Sequence, residues 1–211
     1  MTKDTEVTED AKYPYLYTGS FCVYYGHDDV SHQILMLISE RGKKFKGTKS
    51  EGFGTAGGYV TVIKREQPPE AAVRETGEEI TKPDGSPVLD TLTPDRMLLV
   101  DTAIDYDAGV PGTLYIGNVW HGHKCHLQQD EINKLKAHIE KMNSDPDYAE
   151  ASRKAGKDET ENLFLMTPDQ VIKAIEGKKI KFAYAHEAKV VLAVAKSLWP
   201  VTPSAQHHYR V

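Results

Sequence analysis

The chain has 211 residues, a formal net charge of −5 and a pI near 6.0. This length permits one compact domain with a sizeable core, and the acidic balance argues against a dedicated nucleic-acid-binding protein, whose surface is usually basic. No apolar run is long enough to span a membrane, and residues 1–13 are polar and acidic, unlike a secretory signal. We therefore expect a cytoplasmic protein.

Strands and helices are expected to alternate along the chain, as apolar periodicity and turn residues indicate. In chain order, the predicted elements are strands at 16–25, 33–39 and 59–63, a helix from Pro68 to Ile80, strands at 97–103 and 113–120, a helix at 129–142, a strand at 163–166, and helices at 168–176 and 187–198. This mixture favours an α/β fold with a mixed sheet between helical layers.

The first predicted helix gathers acidic side chains within the stretch EQPPEAAVRETGEEI. A helix advances about 100° per residue, so the carboxylates of Glu75, Glu78 and Glu79 share an arc of roughly 100°. A separate, mostly apolar stripe, which would pack on a sheet, consists of Ala72, Val73, Thr76 and Ile80.

Like charges three and four residues apart destabilise a helix by a few tenths of a kcal/mol per pair. Mg²⁺ or Mn²⁺ would offset this repulsion, because hard divalent cations prefer carboxylate oxygens. The alternative is a solvated acidic face, which is the usual role of a run of charges.

The stretch GTAGGYV places Gly57 and Gly58 ahead of this helix, and glycine lets the backbone turn sharply and approach a bound ion. Together with the helix, it resembles the Nudix box, whose pattern is G-x5-E-x7-R-E-U-x-E-E-x-G-U, where U is a bulky aliphatic residue. The matching residues are Gly58, Glu66, Arg74, Glu75, Glu78 and Glu79.

Four departures from the box concern its loop and the packing of its helix. Seven residues rather than five separate Gly58 from Glu66. Three positions differ in residue type, with Thr76 at an aliphatic position, Thr81 at the late glycine and Lys82 at the final aliphatic position.

The resemblance implies a Nudix-like α/β/α sandwich. Residues 14–200 would form a single catalytic domain, with flexible tails at 1–13 and 201–211. Residues 128–160 would form a charged helical insertion within it, which is a candidate lid or homodimer contact.

The resemblance also implies metal-dependent cleavage of a diphosphate bond in a small-molecule nucleotide, namely a nucleoside diphosphate linked to another moiety. ADP-ribose or an NDP-sugar is the favoured substrate. Dinucleoside polyphosphates, NADH and nucleoside triphosphates are alternatives, and a catalytically silent nucleotide-sensing module is the alternative of another class. A complete set of Arg74 and three glutamates favours the enzyme.

Carried over position by position, the resemblance makes Glu75 and Glu79 the principal ligands of Mg²⁺ or Mn²⁺. Glu78 would bind the ion directly or through water, and the backbone carbonyl of Gly57 would complete the protein's share.

Two further residues would support this site. Arg74 would orient Glu75, and Glu66 would pair with Arg74; the alternative for this pair is an ordinary surface ion pair of little energetic weight. Gly58 is expected to face the substrate. Arg41 begins the basic loop RGKKFKGTK and is expected to meet substrate phosphates, although most lysines of that loop suit a solvated hairpin.

The general base cannot be assigned from the box. By chain order, Glu159 and Glu161 are the first candidates and Glu187 the next, and each is alternatively a plain surface glutamate.

Two weaker patterns remain open. The stretch HGHKCH would place His121, His123 and Cys125 on one side of a strand end, but a structural zinc site normally draws ligands from two segments. Aromatic residues at strand positions usually fill a core, and here they could alternatively stack on a base. They are Tyr106, Tyr115 and Trp120.

Overall fold

The computed structural model describes residues 15–105 and 115–199. The predicted tails and Tyr106 lie outside these ranges, as does the side chain of Tyr115. The strands are β1 (Tyr15–Asp28), β2 (Gln33–Arg41), β3 (Phe53–Gly54), β4 (Gly57–Tyr59), β5 (Leu98–Asp105), β6 (Tyr115–Leu127) and β7 (Thr160–Met166). The helices of more than one turn are α1 (Pro68–Glu79), α2 (Gln129–Ser144), α3 (Pro146–Ala155), α4 (Pro168–Glu176) and α5 (Ala185–Leu198).

The strands form one mixed sheet in the order β3-β2-β1-β6-β5. The long strand β1 pairs in parallel with β6 and antiparallel with both β2 and β4, while β7 pairs with β2. Helices cover both faces of the sheet, so the predicted α/β fold with a mixed sheet is confirmed.

Alternation along β1 divides the interior into two cores, because successive side chains of a strand point to opposite faces. Cys22 and Tyr24 lie in the core under α1 and α2, and Phe21 and Val23 lie in the core under α4 and α5. Cys22 and Cys125 are buried and form no disulfide bond.

Helix α1 begins and ends almost where the sequence predicts. The backbone N–H of Gln67 donates to Glu70 Oε2 at 2.7 Å in a capping box, and Pro68 needs no partner at the first helical position because it lacks an N–H. The helix stops at Glu79, and Ile80 caps its end.

The prediction of a strand at 59–63 was wrong beyond Tyr59. Residues Val62–Lys64 form a 3₁₀ helix, and Arg65 has a left-handed backbone with φ of 54°. The cause lies in Glu66, whose Oε2 accepts a hydrogen bond from the backbone N–H of Thr61 at 2.6 Å and draws the chain away from the sheet.

The region 128–160 is helical, as expected, but α2 belongs to the core. Ile132 and Leu135 are fully buried against the sheet. Glu131 is buried as well, and both of its oxygens accept hydrogen bonds from Arg96 at 2.7 Å. Burial opposes its ionisation, yet the bonds from Arg96 lower the pKa of Glu131 to about 2. A lid role does not fit α2.

Between residues 15 and 199, apart from the gap at 106–114, no helix has both the length and the apolar character needed to cross a membrane.

Candidate active site

Arg74 donates hydrogen bonds to three carboxylates, those of Glu75 and Glu78 on α1 and that of Glu66 before it. Its Nε and Nη2 atoms donate to the two oxygens of Glu66 at 2.7 and 3.1 Å, and Nη1 donates to Glu75 Oε1 at 2.7 Å and Glu78 Oε1 at 3.3 Å. Nη2 also donates to the Tyr59 carbonyl at 2.8 Å. This forked pairing is stronger than a single exposed contact, so the Arg74–Glu66 pair is not an ordinary surface ion pair.

The ionisation of this pair follows from its geometry. Hydrogen bonding to Glu66 is the main cause that raises the pKa of Arg74. Burial opposes ionisation of Glu66, but the hydrogen bonds from Arg74 and from the Thr61 backbone outweigh it and lower the pKa of that carboxyl. Both groups are therefore charged at neutral pH.

Glu75 lies directly above the glycine pair of β4. A Cβ atom added at Gly58 would come within 2.4 Å of Glu75 Cδ and Oε1. Burial raises the pKa of Glu75, although the positive charge of Arg74 opposes the rise. Gly58 therefore leaves the space that the Glu75 carboxylate occupies.

Glu79 is the most buried carboxylate of the face, at 9% exposure. It accepts a hydrogen bond from the backbone N–H of Gly57 at 3.2 Å. Burial is the main cause that raises its pKa well above the ordinary value, and the charge of Glu159 adds to the rise. No basic side chain described in the structure forms an ion pair with Glu79, so its charge is poorly compensated.

Glu78 lies at the exposed edge of the face. Lys157, which sequence reasoning missed, follows α3 and donates to Glu78 Oε2 at 2.8 Å. Burial works against ionisation of Glu78, but the hydrogen bond from Lys157 outweighs it and lowers the pKa. Lys157 and Arg74 thus neutralise Glu78.

The two predicted base candidates on the way into β7 differ in position. Glu159 is close enough to Glu75 and Glu79 for its charge to raise the pKa of both, and it pairs with Lys44 at 2.5 Å. Glu161, the second residue of β7, instead pairs with Arg153 at 3.6 Å. Of the two, only Glu159 adjoins the acidic face.

Glu187, in the first turn of α5, approaches the same loop from the other face of the sheet. Its Oε1 atom accepts hydrogen bonds from the backbone N–H and the hydroxyl group of Thr55 at 2.5 and 2.8 Å. Burial raises the pKa of Glu187 to about 7, and the charge of Arg41 opposes this rise. Glu187 Oε2 is buried and accepts no hydrogen bond from the described residues.

Arg41 lies near both the acidic face of α1 and Glu187. Its positive charge opposes the rise in the pKa of both Glu79 and Glu187. Its guanidinium carbon lies 4.0 Å from the ring centroid of Phe45. Arg41 Nε is buried without a hydrogen-bond partner among the described atoms. A phosphate oxygen would satisfy such a donor.

The carboxylate oxygens on α1 are hard donors, the type that Mg²⁺ and Mn²⁺ prefer. In the described ranges no three His, Cys, Asp or Glu side chains are arranged as ligands, and Arg74 and Lys157 occupy oxygens of Glu75 and Glu78. The donor set nevertheless suits a cation, because the buried charge of Glu79 lies close to those of Glu75 and Glu159. A cation would compensate the charge of Glu79, the carboxylate of this group that has no ion pair with a described side chain.

The zinc alternative at HGHKCH is not supported by the structure. His123 is buried with Nδ1 3.2 Å from Ser20 Oγ, and Cys125 belongs to the core beside Cys22. These residues form part of β6, which continues seven residues beyond Trp120, the predicted end of the strand, to Leu127.

Two departures from the Nudix box have local explanations. Thr76 donates to the Ala72 carbonyl at 2.7 Å, and its hydroxyl oxygen lies 2.6 Å from that of Tyr24. Thr81, at the position of the late glycine, donates to the Ser152 carbonyl of α3 at 3.2 Å. Each threonine thus forms a hydrogen bond that an aliphatic side chain or a glycine at its position would not form.

No protein-family model matches the chain, and no curated protein sequence matches it. Solved structures do match. A NUDIX hydrolase from Alicyclobacillus acidocaldarius is 13% identical, with 87% of this chain and 91% of that chain covered and a TM-score of 0.51. At this identity the likeness shows the fold alone, and the fold is that of Nudix structures.

Two further matches have lower scores. The NUDIX domain of Shewanella oneidensis NrtR, solved with ADP ribose, is 10% identical over 87% of this chain and 89% of that chain, with a TM-score of 0.49. An Ap4A hydrolase from C. elegans is 13% identical, with 87% of this chain and 98% of that chain covered and a TM-score of 0.42.

Proposed function

We propose that this chain is a Nudix-type hydrolase that uses Mg²⁺ or Mn²⁺ to cleave a diphosphate bond in a nucleoside diphosphate linked to another moiety. The observation that carries the proposal is the buried, poorly compensated carboxylate of Glu79, which lies beside Glu75 and Glu159 at the glycine pair of β4. The spacing of the Nudix box supports it independently.

Glu75, Glu78, Glu79 and the Gly57 carbonyl would hold the ion. When bound, the ion neutralises diphosphate oxygens and lowers the pKa of a coordinated water. The Glu66–Arg74 pair fixes the position of Glu75, because Arg74 is itself held by Glu66 and by the Tyr59 carbonyl.

The remaining roles follow from position. Glu159 is the proposed proton acceptor, since its charge acts on both Glu75 and Glu79. Arg41 would bind a phosphate oxygen of the substrate through its guanidinium group. Glu187 would position the loop ahead of β4 through its bonds to Thr55.

The test is a panel of diphosphate compounds incubated with the protein and Mg²⁺, with the products separated by chromatography. The panel contains ADP-ribose, NDP-sugars, NADH, dinucleoside polyphosphates and nucleoside triphosphates. We expect metal-dependent cleavage of ADP-ribose or an NDP-sugar that excess EDTA abolishes. Cleavage that persists in excess EDTA, or no cleavage of any compound, would contradict the proposal.

A catalytically silent nucleotide-sensing module is the second candidate. It is favoured by the pairing of Glu75 and Glu78 with Arg74 and Lys157, which leaves less negative charge for an ion. Saturable nucleotide binding without turnover in the same panel would select this candidate over the enzyme.

A further inference from the structure

Three aromatic side chains form a continuous strip beside the candidate active site, and the ring of Tyr17 packs on one end of it, with its centroid 5.5 Å from that of Tyr59. The ring centroids of Tyr59 and Trp120 are 5.5 Å apart, and those of Trp120 and Tyr184 are 5.8 Å apart, with interplanar angles of 34° and 30°. Tyr59 is 50% exposed and Tyr184 36% exposed. We call Tyr59, Trp120 and Tyr184 the aromatic strip.

The register of the sheet explains why these rings meet. Gly19 of β1 is aligned with Tyr59 of β4 on one side and with Trp120 of β6 on the other, and aligned residues of neighbouring strands share a face. A Cβ atom added at Gly19 would lie 2.3 Å from Trp120 Cζ3. The glycine therefore leaves room for the indole ring, which reaches across β1 to Tyr59.

The strip adjoins the proposed catalytic groups through a ring contact at its Tyr184 end and through the backbone at its Tyr59 end. Tyr59 follows Gly58, and its carbonyl accepts a hydrogen bond from Arg74. At the other end, the Tyr184 ring centroid lies 5.7 Å from the guanidinium carbon of Arg41, and the Tyr184 hydroxyl oxygen lies 3.0 Å from Ser50 Oγ. Arg41, whose charge acts on Glu79, thus connects the strip to the acidic face.

We infer that the aromatic strip is the stacking platform for the nucleobase of the substrate, whose diphosphate is bound at Arg41. Every nucleobase has a π-face that stacks on aromatic side chains regardless of base identity, and both Tyr59 and Tyr184 are exposed to solvent in part. The inference rests on the proposed function and assigns the part of the site that would hold the base of the substrate.

The test uses the fluorescence of Trp120 in the absence of turnover. The chain has two tryptophans, so Trp199→Phe leaves Trp120 as the sole reporter. In EDTA, the variant is titrated with AMP, GMP, CMP and UMP, and with ribose 5-phosphate, which carries the phosphate but no base. We expect saturable quenching by at least one nucleotide and none by ribose 5-phosphate.

Substitutions in the same background locate the contact. Tyr59→Leu and Tyr184→Leu should each raise the Kd of the quenching nucleotide by about fivefold or more, the cost of a lost stacking partner. Phe164→Leu is the matched control, since Phe164 is a 38% exposed aromatic of β7 outside the strip, and it should leave the Kd unchanged. Circular dichroism confirms that each variant is folded.

The outcomes separate this inference from the proposed function. Quenching by no nucleotide, equal quenching by ribose 5-phosphate, or equal effects of the strip and control substitutions would overturn the inference, even if the protein hydrolyses the panel compounds. Quenching that the strip substitutions weaken would support the platform, even if hydrolysis is absent.

Discussion

Glu187 and Thr55, 132 residues apart in sequence, join α5 to the loop ahead of β4 through two hydrogen bonds to one carboxylate oxygen. Because burial raises the pKa of Glu187 from 4.5 to about 7, the folded state holds a proton that the unfolded state releases at lower pH. Arg41 is the charged group that faces this carboxyl and opposes the rise.

The sign of the resulting pH dependence follows. Between about pH 4.5 and pH 7 the folded state binds more protons, so the free energy of unfolding falls as pH rises through this window and levels off above it. The fall is on the order of 3 kcal/mol. Glu187→Gln should flatten this segment of a plot of urea midpoint against pH. An unchanged slope would show that Glu187 does not titrate in this range.

Gly58→Ala should fold but lose turnover. The added Cβ would meet the end of the flexible Glu75 side chain, which can move at little cost in stability but would leave its position in the site. We expect a loss of about tenfold or more in kcat/KM. The control is Gly77→Ala on helix α1, which carries Glu75; there the atom nearest to the added Cβ is 3.4 Å away. Alanine should stabilise α1 there by about 0.5–1 kcal/mol without changing turnover.

Glu79→Gln should separate stability from activity. Removing a buried charge close to Glu75 and Glu159 should leave the metal-free protein as stable as the parent or more stable, whereas turnover should fall about a hundredfold or more because the ion is held less well. Urea midpoints in EDTA and rates in Mg²⁺ measure the two effects. The control Glu140→Gln, an exposed residue of α2, should change neither. Near-parental turnover of Glu79→Gln would exclude it as a ligand.

Lys157→Met should strengthen metal binding. Lys157 pairs with Glu78 Oε2, and its side chain is 65% exposed, so removing it frees a carboxylate oxygen at small cost. We expect the Mg²⁺ concentration that gives half of the maximal thermal stabilisation to fall by up to about fivefold. Lys154→Met, which breaks an exposed pair with Glu150, should leave that concentration unchanged. A higher Mg²⁺ requirement in Lys157→Met would mean that Lys157 supports the site.

The contacts of α1 were predictable because their geometry is local. Helical periodicity places Glu75, Glu78 and Glu79 on one face. The pairing of Arg74 with Glu66 and Glu75 is what the resemblance to the Nudix box, a motif confined to one short stretch, implies. The apolar stripe was predictable for the same reason, and Ala72 and Ile80 are indeed buried in the core.

The error at 59–63 shows the limit of local propensity. Val62 and Ile63 are β-branched and favour a strand, yet they are 73% and 92% exposed in the structure. The bond from Thr61 to Glu66 and the left-handed Arg65 override the preference. Such a bond depends on where Arg74 holds Glu66, which a window of a few residues does not report.

The approach of Lys157 and Glu159 to α1 was beyond local reasoning as well. It depends on the path of α2 and α3, which returns the chain to the acidic face, and α3 was predicted only as part of the helical insertion at 128–160, not as a separate helix. The start of α3 at Pro146, with Asp145 as N-cap, can be recognised in the sequence. Its contact with α1 through the hydrogen bond from Thr81 to Ser152 cannot be predicted from the sequence of either segment alone.

The distance in sequence between Glu78 and Lys157, 79 residues, has a consequence for refolding. Closing so long a loop is entropically costly, so contacts of this kind form late compared with local helix contacts. Helical circular dichroism would return early, and catalytic competence would return only when α3 has docked. Regained turnover is therefore a reporter of complete folding, and a single cut between α2 and α3 would delay it far more than it would delay the helical signal.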